Sequence, residues 1–270
     1  MNQRGASLKI TIRLAVIAIS VILSSAAVAQ EAKAEPDAPV ERTLEWSLGL
    51  GVASTPRPYV GAENAIVPMP LVDITYKKLY VQGIQAGYWF VDNKKLDFGV
   101  RAGIVLESLD PDDSDYLAGL EERKPSVQGG LVFAWKPGKF RLTTAANTDL
   151  LNRSNGQQVS VDFSRMWQWH GRAIGIMPSI GVVWQSSNFI NYYYGVTPEE
   201  ALPGRPPFGG HSAINLRTSL LGYLFVSHRI RFVAYLEVQR LDNEIYDSPI
   251  VEDRRSFLGL FGVTVRLGKL

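Results

Sequence analysis

Histidines are the first residues to test for chemistry, because the chain has no cysteine and only three histidines, His170, His211 and His228. A hydrolase needs a serine beside a histidine base, with a third group orienting the base. No serine stands in a Gly-x-Ser-x-Gly setting, and none pairs with a histidine by spacing. A zinc site needs several ligands at close spacing, which three scattered histidines do not supply. The acidic run Asp110, Asp112, Asp113 and Asp115, followed by Glu121 and Glu122, has ligand-like spacing for calcium. Asp115, however, stands where the sharp turn of such a loop wants glycine, so a solvated loop is the expected reading. No catalytic, metal or cofactor residue is assigned, and a non-enzymatic protein is expected. A lipid-modifying enzyme is the most distant alternative.

A second set of polar residues is more regular. Asp97, Arg101, Asp162, Arg217, Arg231, Glu237 and Arg266 each interrupt a run in which every other residue is apolar. From Ile230 the apolar positions are Phe232, Ala234, Leu236 and Val238; later they are Phe257, Phe261, Val263, Val265 and Leu267. Period-two alternation means a strand with one oily and one wet face. Soluble strands average about five to six residues. These run to roughly ten, repeatedly, which predicts an all-β transmembrane antiparallel up-and-down barrel. The seven charges would then face the lumen. Their mixed signs fit a salt-bridged, filled interior or a weakly selective channel.

Arg4, Lys9 and Arg13, the apolar run Leu14 to Leu23 and the small residues Ala27 and Ala29 predict a signal peptide over residues 1–29. It carries three basic and no acidic residues, leaving 25 basic against 26 acidic, so net charge gives nucleic-acid binding no support. Residues 30–43 read as a flexible periplasmic leader and 44–270 as the barrel. Without disulfides, an exported chain holds together by packing or by closed hydrogen bonding, and a barrel provides the latter.

Strand counting depends on Leu79 to Val91. Taken whole it gives eleven strands; split at Gly83 and Gly87 it gives twelve, and bacterial barrels have even numbers. About twelve strands are expected, with ten as the alternative. Asp92 to Lys95, Lys136 to Lys139, His170-Gly171 and His228-Arg229 fall on one side as short periplasmic turns. Ser108 to Lys124, Ser186 to His211 and Asp242 to Arg254 fall on the other as long external loops. The six tryptophans sit at expected strand ends, as an interfacial girdle would place them. Pro68 and Pro70 inside the second strand imply a bulge or an unpaired position. The aromatic loop residues Phe189, Tyr192, Tyr193 and Tyr194 read either as external contact residues or as a loop folded back on the rim.

Several fragments resemble one known family. Pro58-Tyr59-Val60-Gly61, Pro68-Met69-Pro70, Tyr193-Tyr194-Gly195-Val196 and Arg240-Leu241 ahead of Ser248-Pro249-Ile250-Val251 are similar, in that order, to the MltA-interacting protein (MipA/OmpV) family. Leu117-Ala118-Gly119-Leu120 adds to the likeness. The resemblance implies an outer-membrane barrel in contact with lipid and lipopolysaccharide. It also implies a scaffold joining a periplasmic lytic transglycosylase to a murein synthase, with no established catalytic residues. The chain departs from such barrels in ending on Leu270, where an aromatic residue is usual. A small-solute outer-membrane channel remains the alternative function.

Overall fold

The computed structural model describes residues 44–55 and 57–269; the expected signal peptide and leader lie outside the described residues. Thirteen strand segments form one antiparallel sheet: β1 (Glu45–Thr55), β2 (Ala65–Tyr76), β3 (Leu79–Gln82), β4 (Gln85–Asp92), β5 (Leu96–Val105), β6 (Ser126–Trp135), β7 (Phe140–Asp149), β8 (Gln157–Arg165), β9 (Trp167–Trp169), β10 (Ile174–Gln185), β11 (Ala213–Phe225), β12 (Ile230–Arg240) and β13 (Arg255–Lys269). β13 pairs with β1 along its length, closing the sheet. β8 and β9 share one register against β10, Ser164 opposite Ser179 and Trp167 opposite Ile176. Their interruption falls opposite Pro178, which brings no N–H to the ladder. They are one barrel strand, so the barrel has twelve. Closure leaves few backbone groups facing hydrocarbon unpaired, as a bilayer demands.

The alternation sorts side chains as expected. Leu50 and Phe261 stand 72% and 56% exposed on the lipid face, while their neighbours Ala53 and Leu260 are buried in the lumen. Residues 79–91 do split, but only at Gly83. Gly83 has φ +56° and opens a two-residue turn with Ile84, the geometry of a type II′ hairpin. Gly87 instead stays within β4 beneath the Tyr80 ring, where a Cβ would come within 2.3 Å of it.

The β3–β4 hairpin is short, and this leaves a seam. Above Val72, β2 has only β1 as a ladder partner among the described residues. On the hairpin side the Val72 carbonyl accepts from the Gly83 N–H at 2.6 Å. Residues two apart on a strand direct their amide groups the same way, so Pro70 and Pro68 face the open edge. A proline there has no donor to strand, and the expected unpaired position is found. Leu106, just past β5, packs against the lumen cluster that holds Val67 and Met69.

Connections at one end are short: 77–78, 93–95, 136–139, 170–173 and 226–229. Apart from the hairpin tip at 83–84, those at the other end are longer, and they carry α1 (Ser187–Tyr194) and α2 (Asn243–Tyr246). Five tryptophans lie near strand ends as the girdle requires. Trp89 does not. It turns inward between exposed Tyr88 and Phe90 and stacks on Tyr80 at 5.1 Å.

Candidate functional site: a sealed mouth above a divided lumen

The long loops fold together into a cap with its own hydrophobic core. Tyr59, Leu109, Leu117, Phe189, Ile190, Tyr193, Ile245 and Ile250 come from four separate loops and are buried against one another. Segments that are far apart in sequence interlock here. The Tyr59 hydroxyl donates to the Tyr193 carbonyl at 3.2 Å, and the Ser248 hydroxyl to the Tyr194 carbonyl at 2.6 Å. The Val60 N–H donates to the Ile250 carbonyl, and the Glu252 N–H to the Pro58 carbonyl. Gly61, at φ +70°, turns its N–H to the Glu252 carboxylate, and Gly195 closes α1 on the Asn191 carbonyl. Pro249 sits in the tight chain between Ser248 and Ile250. Burial pushes the Tyr59 and Tyr193 phenols well above their usual range. All of the fragments that carry the family resemblance except Pro68-Met69-Pro70, which lies in β2, thus meet in one place.

This corrects the reading of the aromatic segment as an external contact. Phe189, Tyr193 and Tyr194 lie on the buried side of α1, and only Tyr192 is partly exposed. Apolar positions 189, 190, 193 and 194 have helical spacing, which in eight residues is too short to separate from a loop.

Buried polar groups lock the cap. Arg123 donates to Glu200 at 2.6 Å with both side chains under 10% exposed. Burial raises the Glu200 carboxyl, but the N–H groups of Glu121 and Thr197, with Arg123, outweigh it and hold the group below the usual range. Arg205, 2% exposed, donates to the carbonyls of Tyr116, Ala118 and Glu200. The acidic run is used within the loops: Asp110 accepts from the Asp112 N–H and Asp113 pairs with Arg57. His211 is exposed beside Glu244 at 3.3 Å, and His170 and His228 stand in turns at the opposite end.

Below the cap the predicted lumen charges pair in separate groups. Asp97 accepts from Lys136 and Arg141, both at 2.8 Å. Asp162 accepts from Arg217, whose Nε also lies 3.9 Å from Glu237, and Glu237 accepts from the Tyr235 hydroxyl. Arg231 reaches Asp73 at 3.3 Å and Thr264 at 3.2 Å. Arg266 is exposed at the short-turn end. Arg101 bonds only weakly, to Asn147 at 3.4 Å. Lys136 and Asp73 were missing from the predicted set. Lys136 follows the last residue of β6 and reads as turn, and Asp73 lies in the strand whose prolines obscure its pattern.

Among the described residues, two cavities lie inside the barrel. One of about 70 Å³ at the short-turn end is lined by Glu45, Asp73, Arg231 and Arg266. The other, about 90 Å³, is lined by Arg101, Glu107, Gln128 and Arg217. They share no lining residue. Along β12 the order is Arg231 in the first, Tyr235 in an apolar cluster, Gln239 in the second; along β11 it is Phe225, Leu221, Arg217. Met69, Met177, Leu221, Tyr235 and Leu258 therefore form an apolar cluster that separates the two along β11 and β12.

A lipid-belted closed barrel with short turns at one end and long loops at the other is an outer-membrane-type β-barrel. The chain belongs to the MltA-interacting protein MipA family, whose model matches residues 48–267. It is 27% identical over 233 residues to the MltA-interacting protein of Escherichia coli K12, covering 82% of this chain and 90% of that one. It is 26% identical over 225 residues to the putative outer membrane protein YiaT of the same organism, covering 82% and 91%. It is 29% identical over 163 residues to the outer membrane protein OmpV of Vibrio cholerae, covering 58% and 60%. Among solved structures, an outer membrane channel of Pseudomonas putida F1 aligns with a TM-score of 0.40 at 9% identity, covering 86% of this chain and all of that one. The relatives are named as interacting or outer membrane proteins, not as enzymes.

Proposed function

We propose that the protein is a closed, non-enzymatic outer-membrane scaffold, whose periplasmic face holds a lytic transglycosylase and a murein synthase. The observation that supports this best is the double closure: a cap with its own core above, and an apolar cluster in the lumen below. A barrel sealed twice is poorly suited to conduction, which moves its work to the rims. The relative named for interaction with MltA gives the partner class. The outward face meets lipid along the strands and lipopolysaccharide at the loop end.

A standard interface takes roughly 800 Å² per partner, more than turns of two to four residues offer. The leader at residues 30–43 must therefore bind together with the rim. Affinity capture of murein enzymes by the full mature chain tests this. Deleting Glu31 to Glu41 or replacing Lys94 and Lys95 should weaken capture at least several-fold, with the barrel still folded. Unchanged capture by both variants would contradict the scaffold reading.

A further inference from the structure

The cavity beneath the cap holds a buried cation that has no contact ion pair among the described residues. Asp97, Asp162, Arg217 and Glu237 are all engaged by opposite charges or hydrogen bonds. Arg101 has the single 3.4 Å bond to Asn147, and among the described residues no carboxylate lies within ion-pairing distance of it. Gln128, 6% exposed in the same wall, has an Nε2 with no hydrogen-bond partner in the protein. Buried polar groups are normally satisfied, and each exception calls for an occupant or an explanation. Gln158, Ser160, Gln185 and Gln239 line it beside Asn147, together with the apolar Ile104, Val105 and Val183. One water needs about 10–15 Å³ of such space, so a 90 Å³ cavity holds roughly six to nine waters, or a solute of similar atom count.

Charge balance narrows the solute. A guanidinium without a contact ion pair has room for one carboxylate; Asp162 and Glu237 already share Arg217, so a dianion would leave a buried excess. Glu107 lines the same cavity, and its carboxyl is pushed above the usual range by burial, so a second negative charge is further disfavoured. A planar guanidinium matches a carboxylate bidentately, and the carboxamides offer both donors and acceptors to hydroxyls.

We propose that this cavity binds a small hydroxycarboxylate, its carboxylate held by Arg101 and the Gln128 carboxamide and its hydroxyl by the neighbouring carboxamides. The site is independent of the scaffold reading. The test is equilibrium dialysis of the full mature chain, refolded in radiolabelled lactate so that the cap does not limit entry. Saturable binding near one equivalent is expected, with glycerol and inorganic phosphate competing at least ten-fold less well. Arg101→Gln should weaken lactate binding ten-fold or more, and Gln128→Leu several-fold, with the heat-modifiable gel shift of a folded barrel retained. Absence of saturable binding, meaning a water-filled cavity, would overturn the proposal. So would equal competition by glycerol or phosphate, both measured on the unaltered chain and needing no variant to fold.

Discussion

The two ends of the barrel solve opposite problems with the same strands. At the external end, loops up to 27 residues long, as in 186–212, bury Phe189, Ile190 and Tyr193 completely and carry paired charges inside a second core. At the other end, turns of two to four residues leave the lumen cavity of Glu45, Asp73, Arg231 and Arg266 open to a narrow rim. The external end is thus a folded lid, and the short-turn end is a frame around a charged vestibule. Long loops on a barrel need not be sites of recognition; here much of their length is structural.

If the cap has its own core, removing part of that core should affect the cap far more than the barrel. Phe189→Ala is expected to cost about 3–5 kcal/mol of cap stability. Limited chymotrypsin digestion would then cut after Tyr193 and Phe208 at far lower enzyme concentrations, while the heat-modifiable gel shift of the barrel persists. Equal loss of both would mean that cap and barrel are one unit.

Next in size is Arg123→Met, which strands a buried Glu200 and should cost about 3 kcal/mol, read by the same digestion. Glu200 adds a pH dependence. Its folded carboxyl lies below its unfolded value, so its stabilisation is complete above the ordinary carboxylate range and is lost as pH falls through the folded value. The cap should therefore become protease-sensitive in acid before the barrel unfolds, and Glu200→Gln should flatten that dependence.

At the frame end, Asp97→Asn leaves Lys136 and Arg141 without their carboxylate and should lower barrel stability by about 2 kcal/mol. The urea midpoint would fall while cap digestion stays unchanged. The smallest effect belongs to the seam. Replacing Pro68 and Pro70 with threonine restores two donors at an unpaired edge, for a change within about 0.5 kcal/mol. It should still raise the dimer fraction in detergent by cross-linking, because an open edge pairs with another chain.

The contrast between the ends also explains what the sequence could show. Wall residues such as Phe232, Ala234 and Leu236 announce their face by alternation alone, since a strand's two environments repeat every second residue. Short turns and long loops then set the sidedness. The cap was not readable this way. Tyr59, Leu117, Tyr193 and Ile250 meet only after the barrel closes, and nothing local marks them as a core. Lys136 was hidden because a turn residue can still reach inward to Asp97. Trp89 was misread because tryptophan at a strand end satisfies a girdle and a lumen stack equally well. Arg101 was identified as inward-facing, but its lack of an ionic partner depends on residues from other strands.

Single-channel current through the purified, refolded mature chain in a planar bilayer would show whether the barrel is closed. A closed barrel leaves the bilayer silent even though the protein shows the folded gel shift, with current appearing only when the cap and the Met69–Met177–Leu258 cluster are both opened by substitution. Steady, salt-dependent steps from the unaltered chain, shifted by changing Arg101 or Arg231, would contradict closure.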